Sequence, residues 1–316
     1  MYKALIIGCG NIGAMYDFET ESISTYAKAF HLDPEIIFEV YDIDPKVSVV
    51  VAERYGVRCL YELNSEVYKE YDIAVICTPT FTHHEYLSKL LEQGPRLVIC
   101  EKPVDTDPVQ LEKVLSLYRR SNTKVLVNFF RRFQPAIIQL KKDIEDILVE
   151  ERCTNIVVTY QRGFHNNASH AIDLLELLFG STIDLSEAKV SHGFCDEFDA
   201  DPTLSVSCVF NDANVQFVGL TQAEFSHFDI SIYFQRSAVF LKNGCDEIEI
   251  ASTSTKQGNF YPKLVSRSRR VGVVENYMIN VVACAKKILE NKEEPDNFLG
   301  SVGISERILK LKESSL

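Results

Sequence analysis

A short apolar run at the start of the chain leads directly into three spaced glycines, and this pairing constrains the fold more than any other feature. Ala4–Ile7 is typical of a buried strand, and Gly8, Gly10 and Gly13 follow it in a G-x-G-x-x-G spacing. Glycines at these positions permit a tight turn, a close approach to the backbone, and close packing of a helix on the strand. The opening therefore predicts the first strand–turn–helix step of a doubly wound parallel sheet.

Alternating apolar runs and amphipathic stretches continue this pattern over roughly the first 130 residues. Parallel strands covered on both faces have continuous apolar sequences, and the helices between them have one apolar face. The predicted strands are Ala4–Ile7, Ile37–Tyr41, Ile73–Cys77, Leu97–Cys100 and Lys124–Asn128. The predicted helices are Lys46–Tyr55, His83–Glu92, Pro108–Arg119 and Pro135–Glu150.

The pattern changes after about Thr154, where strand-like segments become closely spaced, as in an antiparallel sheet. These segments are Ser205–Phe210, Val215–Leu220, Asp229–Phe234, Ala238–Leu241 and Glu247–Ile250. The helices predicted around them are Asn167–Phe179, Val274–Glu290 and Gly303–Lys312. The sequence thus predicts an α/β protein with a Rossmann domain over residues 1–124 and an α+β domain with a mostly antiparallel sheet over residues 125–316.

Composition argues against several classes of partner. The formal net charge of -12 repels phosphate backbones, and the basic residues are scattered, so nucleic acid is not expected. No apolar run approaches the roughly 20 residues that a membrane span needs. The nine cysteines form no Cys-x-x-Cys pair, which indicates a reducing cytoplasm and no metal site.

The glycine turn predicts a bound dinucleotide, whose pyrophosphate the free backbone N–H groups at the start of the next helix would bind. Asp42 ends the second predicted strand, where a carboxylate binds the ribose hydroxyls and disfavours a ribose phosphate, so NAD is preferred over NADP. A turn without a ligand and a solvated aspartate are the alternatives. Met15–Ser24 reads as an inserted polar loop, either a lid over the cofactor or a tolerated insertion.

Further candidate residues follow the next two predicted strands, because an open parallel sheet presents ligands at the carboxyl ends of its strands. Thr78 and Pro79 follow one strand, with His83 at the start of the next helix, and Glu101-Lys102-Pro103 follows the other. The proline holds Lys102 extended and allows a cis peptide bond. Partial burial and a positive nicotinamide would lower the pKa of this lysine towards a range useful for proton transfer. The alternative is an ordinary surface lysine.

A polar stripe is predicted on the helix that ends near Phe179. Asn166, His170 and Asp173 are spaced i, i+4 and i+7, so they share one face if the helix begins that early. The neighbouring positions are apolar, so the helix is expected to be mostly buried. The alternative is a helix cap by Asn166 or Asn167 and a core histidine whose hydrogen bonds are satisfied.

Together these motifs resemble the glucose–fructose oxidoreductase and inositol dehydrogenase family, Gfo/Idh/MocA. The resemblance implies a Rossmann domain followed by a domain with a large open sheet, whose face would join a homodimer or homotetramer. It implies that Lys102 positions the substrate hydroxyl and assists proton transfer, that His170 is the general acid/base, and that Asp173 orients the substrate or the histidine. The residues that carry the resemblance are Gly8–Gly13, Asp42, Thr78-Pro79 with His83, Glu101-Lys102-Pro103, Arg131-Arg132-Phe133 with Pro135, and His170 with Asp173.

The resemblance also assigns binding residues. Asn166 stands where many members carry an aspartate, and because an amide cannot act as a carboxylate we assign it to substrate binding, with Arg132 and Arg162. The predicted cofactor contacts are Gly8, Gly10, Asn11, Ile12, Asp42, Thr78, Pro79, His83, Glu101 and Lys102.

The leading functional prediction is an NAD-dependent oxidoreductase that transfers a hydride directly between nicotinamide and a carbinol of a sugar, nucleotide-sugar or cyclitol. The stretch Thr25–Ala29 is similar to one in members associated with surface-polysaccharide sugar biosynthesis. One alternative is an enzyme of epimerase or glycosidase type that cycles its NAD within a turnover. Another is a catalytically silent regulator that senses the dinucleotide.

Overall fold

The computed structural model describes residues 1–195, 198–254, 262–292 and 297–315. The chain divides into two compact units. The first unit comprises Met1–Phe133 and Asn276–Glu306, and the second comprises Gln134–Glu275 and Arg307–Leu316. The division differs from the predicted boundary after residue 124, because the first unit extends to Phe133 and is completed by a segment from near the end of the chain.

The first unit is built on a parallel sheet. Among the described residues its strands are β1 (Tyr2–Ile7), β2 (Ile36–Tyr41), β3 (Arg58–Leu60), β4 (Ile73–Ile76), β5 (Leu97–Cys100) and β6 (Lys124–Val127). They lie in the order β3-β2-β1-β4-β5-β6 and every pair is parallel. The chain direction across the sheet reverses at β1 and β4, so the topological switch point lies at the carboxyl end of β1.

Helices connect the strands of the first unit, and further helices follow in the second unit. Along the described chain they are α1 (Tyr26–Leu32), α2 (Pro45–Tyr55), α3 (Ser65–Tyr68), α4 (His83–Gln93), α5 (Pro108–Tyr118), α6 (Pro135–Glu150), α7 (Ser169–Phe179), α8 (Tyr277–Leu289) and α9 (Phe298–Ser315). Side-chain oxygens cap the first turns of four helices in the first unit. The capping residues of α1, α2, α3 and α5 are Thr25, Asp44, Asn64 and Asp107.

The second unit contains a larger and mostly antiparallel sheet. Its described strands are β7 (Cys153–Tyr160), β8 (Lys189–Phe194), β9 (Thr203–Phe210), β10 (Ala213–Gly219), β11 (Phe228–Phe234), β12 (Ser237–Lys242), β13 (Glu247–Thr253) and β14 (Leu264–Val271). They lie in the order β14-β13-β12-β11-β7-β10-β9-β8, and β7 and β10 form the parallel pair.

One face of this second sheet is buried beneath α7. Along β11 the side chains alternate between buried and half-buried, as expected when only one face of a sheet is covered. Ring contacts join the covered face to the α7 segment: Phe164 lies 5.6 Å from Phe217, and Phe179 lies 5.4 Å from Phe210. The fold class predicted from the sequence is confirmed.

Several elements were not predicted from the sequence. They are α1, α3, β3, β7, β8 and β14. Among the described residues, no helix is both long and apolar enough to cross a membrane, and no cluster of His, Cys, Asp and Glu side chains could hold a metal ion.

Candidate active site

The glycine turn after β1 has the geometry that its spacing predicted. Gly8 has a φ of 95°, and a Cβ there would lie 2.8 Å from the backbone carbon of Cys77. A Cβ on Gly13 would lie 2.2 Å from the Gly8 carbonyl oxygen. Any side chain at either position would collide with backbone, so both glycines are required by the packing of the turn itself.

Gly10 differs from Gly8 and Gly13, because a Cβ there would meet no protein atom within 4 Å. It precedes a five-residue π-helical turn, Asn11–Met15, which carries no side-chain cap. The first N–H groups of a helical turn have no acceptor within that turn. This turn therefore presents backbone donors beside open space, which suits an anion such as a pyrophosphate.

Asp42 follows β2 and is tied to the glycine turn. Its Oδ2 accepts a hydrogen bond from the Cys9 backbone N–H at 2.7 Å, and its Oδ1 accepts one from the Asp44 N–H at 2.9 Å. Burial, followed by the charge of Asp42, raises the pKa of the Cys9 thiol to about 12, so the thiol stays protonated at neutral pH. Ile43 is 86% exposed directly after the carboxylate and offers an apolar surface of the kind an adenine ring contacts.

His83 joins two loops that both carry predicted site residues. Its Nε2 lies 2.8 Å from the Thr78 carbonyl oxygen and its Nδ1 lies 2.9 Å from that of Pro103. Burial lowers the pKa of His83, and these backbone contacts partly oppose that effect. The His83 ring thus lies between the Thr78 and Pro103 loops, and a neutral imidazole, which has one N–H, donates to one of the two carbonyls. The contact of His83 with the cofactor stays a prediction.

Glu101 and Lys102 follow β5, and the Lys102–Pro103 peptide bond is cis. The Oε1 of Glu101 accepts hydrogen bonds from the Tyr26 hydroxyl at 2.9 Å and from Asn128 Nδ2 at 2.7 Å. Burial raises the pKa of Glu101, whereas the two hydrogen bonds and the positive charge of Lys102 oppose the rise. The side chain of Glu101 is therefore held by protein donors.

The segment read as an inserted loop is tied to its own unit. Asp17 is fully buried, and its carboxylate accepts hydrogen bonds from the Ser24 N–H, the Thr25 N–H and the Thr25 hydroxyl at 2.6 to 2.8 Å. The Tyr277 hydroxyl donates to the Ser24 carbonyl at 2.9 Å. The segment then enters α1, which the sequence analysis did not predict.

In the second unit, the turn before α7 is capped by a carboxylate distant in sequence. The turn Phe164–Ala168 is π-helical, and Asp201 accepts the N–H groups of His165 and Asn166 at 2.9 and 2.7 Å. Gly163, with a φ of 85°, allows this approach, because a Cβ there would lie 2.2 Å from Asp201 Oδ2. Lys312 pairs with Asp201 at 3.2 Å.

His170 and Asp173 lie in the first turns of α7 and are both buried. The His170 ring meets Phe228 edge-on at 6.4 Å between ring centres. Asn166 is part of the π-helical turn, and its Nδ2 donates to the Arg162 carbonyl at 3.0 Å. The α-helix begins at Ser169, two residues later than predicted, and Asp201 replaces Asn166 or Asn167 as the cap.

Arg162 and Arg132 occupy different local settings. Arg162 takes a left-handed backbone conformation, with a φ of 70°, immediately before the turn that carries Asn166. Arg132 lies in the short helical turn Phe130–Phe133 after β6. The assignment of both arginines to substrate binding stays a prediction.

Four residues that organise these sites were not predicted from the sequence: Asp17, Tyr26, Asn128 and Asp201. Asn128 had a usable signal, because it follows β6 at the carboxyl end of a parallel strand. The others had none, since their partners are distant in sequence or lie within an apparent insertion.

Comparison with known proteins decides the family of the first unit. Residues 2–129 match the model of the GFO_IDH_MocA family, described as an oxidoreductase family with an NAD-binding Rossmann fold. This N-terminal domain belongs to the Gfo/Idh/MocA family. The resemblance stated from the motifs is thereby confirmed, and the following relatives carry the same fold or part of the same sequence.

An inositol 2-dehydrogenase of Rhizobium meliloti is 29% identical over 141 residues, which are 45% of this chain and 40% of that protein. The match thus spans less than half of the relative's length. A putative myo-inositol dehydrogenase from Sinorhizobium meliloti shares the fold over 99% of this chain and 98% of its own, with a TM-score of 0.72 and 18% identity. A super-repressor mutant of Gal80p from Saccharomyces cerevisiae also shares it, with a TM-score of 0.77 and 14% identity over 99% of this chain and 95% of its own.

The first unit fits the dinucleotide named in the description of the family model that matches residues 2–129. The space beside Gly10 is open, and the turn that follows has no side-chain cap. Asp42 stands at the end of β2, and each of its oxygens has a lone pair left after its hydrogen bond to backbone. The residues present therefore suit a pyrophosphate at the turn and ribose hydroxyls at Asp42.

Proposed function

We propose that this chain is an NAD-dependent dehydrogenase that oxidises a CH–OH group of a cyclitol or a related sugar. The observation that carries the proposal is the placement of three motifs on adjacent strands. The glycine turn follows β1, Thr78-Pro79 follows β4 and Glu101-Lys102 follows β5, and these strands are neighbours in the sheet at its switch point.

Each motif has a chemical role under this proposal. When bound, NAD supplies the hydride acceptor. The N–H groups after Gly10 bind the pyrophosphate and Asp42 binds the ribose, which favours NAD over NADP. Lys102 donates a hydrogen bond to the substrate oxygen, His170 takes the hydroxyl proton, and Asp173 orients the substrate or the imidazole.

The class of substrate is supported by relatives named as inositol dehydrogenases, although their matches cover less than half of their own lengths. Asn166, Arg132 and Arg162 are the proposed substrate contacts. The polysaccharide pathway, the cytoplasmic location and an oligomer formed through the open sheet face stay predictions from the sequence.

A dinucleotide-sensing regulator is the second candidate, because Gal80p has the same fold. The presence of Lys102, His170 and Asp173 favours the dehydrogenase, since a sensor has no use for proton-transfer groups. An NAD-cycling enzyme would use the same residues but would produce no net NADH.

The test begins with thermal unfolding of the full chain in NAD, NADH, NADP and NADPH. Absorbance of the reduced nicotinamide is then followed with myo-inositol, other cyclitols, sugars and nucleotide-sugars. We expect stabilisation by NAD and NADH, and turnover that falls about 10²–10⁴-fold in Lys102→Ala and His170→Ala. Lys113→Ala and His31→Ala, which change exposed residues, serve as matched controls. Stabilisation without net turnover on any substrate would favour sensing or internal cycling, and no stabilisation would overturn the cofactor assignment.

A further inference from the structure

The segment of residues 16–25, here called the arm, leads directly into Tyr26, whose hydroxyl reaches Glu101. The buried Asp17 carboxylate fastens the end of the arm through three hydrogen bonds, as described above. A second anchor comes from Asn276, whose Oδ1 accepts from the Ile23 N–H at 2.8 Å. The arm is thus held at several points within the first unit, as a fixed element is and a lid is not.

Tyr26 is the first residue of α1, directly after the arm. Its side chain is fully buried in the core of the first unit, and its ring contacts Phe30 with 6.2 Å between centres. Its hydroxyl, at the end of the ring, donates a hydrogen bond to Glu101 Oε1 at 2.9 Å. A buried hydroxyl needs a hydrogen-bond partner, and Glu101 is the partner of Tyr26.

We propose that Tyr26 is a positioning residue, that its hydroxyl fixes the Glu101 carboxylate next to Lys102, and that the arm is the rigid support that holds Tyr26 in place. The inference rests on the proposed function in one respect, since it concerns the lysine that we assign to proton transfer. It gives Met15–Ser24 a third role, that of a support, beside the lid and the tolerated insertion that the sequence leaves open.

The consequence is electrostatic. The titratable groups around Glu101 are Tyr26, Lys102, Tyr277, Cys77 and Cys100. Lys102 is the cation among them, while burial raises the pKa of each tyrosine and cysteine, so these stay neutral near pH 7. Hydrogen bonds to the charged form of a carboxylate favour that form. The Tyr26 and Asn128 donors therefore help Glu101 keep the negative charge that Lys102 faces.

The experiment titrates Glu101 in the full chain by infrared difference spectroscopy, with Glu101→Gln identifying its carboxylic-acid band. In Tyr26→Phe we expect this band to persist to higher pH than in the wild type, because one donor to the carboxylate has gone. Tyr71→Phe is the matched control: Tyr71 is also buried and also donates to a glutamate, Glu39, but it precedes β4 at the opposite end of the sheet. Its Glu101 band should titrate as in the wild type.

Asp17→Asn tests the arm. We expect a lower midpoint of thermal unfolding together with a shift of the Glu101 band in the same direction as in Tyr26→Phe. A Glu101 band that titrates as in the wild type in Tyr26→Phe would overturn the role of Tyr26, and one unmoved in Asp17→Asn would overturn the role of the arm.

If Tyr26→Phe does not fold, 3-fluorotyrosine placed at position 26 gives a stronger donor and should move the band the opposite way. An unmoved band would again overturn the role of Tyr26. The link to Lys102 is read from activity. In Tyr26→Phe the acid limb of the pH–rate profile should move to higher pH, because Glu101 takes up its proton at a higher pH and then no longer presents a negative charge to Lys102. Absence of any NAD-dependent turnover would overturn the proposed function while leaving the infrared result intact, so the two failures are distinguishable.

Discussion

Two π-helical turns among the described residues differ in what accepts the hydrogen bonds of their first N–H groups. Asn11–Met15 has no side-chain cap and faces open space beside Gly10. In Phe164–Ala168 the N–H groups of His165 and Asn166 donate to the Asp201 carboxylate. A helical turn needs acceptors for these donors, which can come from the protein or from a ligand. The comparison indicates that the first turn is kept for an anion, whereas the second is a finished part of the protein that supports His170.

The largest effect on the first turn is expected from a side chain added at Gly13, where the structure leaves no room for one. In Gly13→Ala the new Cβ would lie 2.2 Å from the Gly8 carbonyl oxygen. We expect about 3 kcal/mol of destabilisation and loss of NADH binding, because the turn must shift. Urea unfolding and NADH fluorescence titration measure the two effects.

Gly10→Ala is the matched control for this substitution, since its Cβ meets nothing within 4 Å. It should leave the unfolding free energy nearly unchanged and weaken NADH binding at least about tenfold, or about 1.4 kcal/mol. NADH binding unchanged by Gly10→Ala would mean that the open space does not hold the dinucleotide.

The second turn can be broken by removing its cap. Asp201→Ala should lower the free energy of unfolding by about 1–2 kcal/mol, because two N–H groups lose their acceptor. NADH affinity should not change, since the cap belongs to the other unit. Asp146→Ala, at an exposed position of α6 in the same unit, is a control aspartate that should leave both quantities nearly unchanged. Equal stability of Asp201→Ala and the wild type would contradict the cap.

The smallest expected effect concerns His83, which clamps the loops beside the first turn. Burial holds its pKa below the ordinary value of 6.5, so the folded chain binds fewer protons here than the unfolded chain. Stability from this group is complete above pH 6.5 and declines as pH falls from there towards the folded pKa. His83→Gln should flatten the loss of stability as pH falls below the ordinary histidine pKa of 6.5, measured by urea unfolding. The exposed His31→Gln should keep the wild-type slope, and an unchanged slope in His83→Gln would contradict a neutral buried imidazole.

The sequence predicted the parallel strands well, because buried apolar runs leave few alternatives. Leu97–Cys100 was predicted to the residue, and β1, β2, β4 and β6 to within two residues at either end. It missed β3, which has three residues, and β14, whose exposed arginine-rich sequence resembles a loop. Short or exposed strands owe their pairing to neighbours, which a local pattern does not contain.

The site divided in the same way. The glycine turn and the residues that follow strands could be predicted from the sequence, because the carboxyl ends of parallel strands meet at one edge of the sheet. The Asp201 cap and the Tyr26 hydrogen bond were not, since each joins segments at least 35 residues apart. Helix α1 was not predicted because the segment before it, Met15–Ser24, was interpreted as an inserted loop.

The return of Asn276–Glu306 to the first unit also affects how this domain is made. Helix α8 supplies buried side chains to the core that surrounds β1 and α1, namely Met278, Val281, Val282, Ala285, Ile288 and Leu289. During synthesis, residues 1–133 are made well before this helix exists, since at about 5–20 residues per second the wait is roughly 8 to 30 seconds. The nascent domain must therefore remain incomplete, with part of its apolar core exposed, until residues 277–289 have been synthesised.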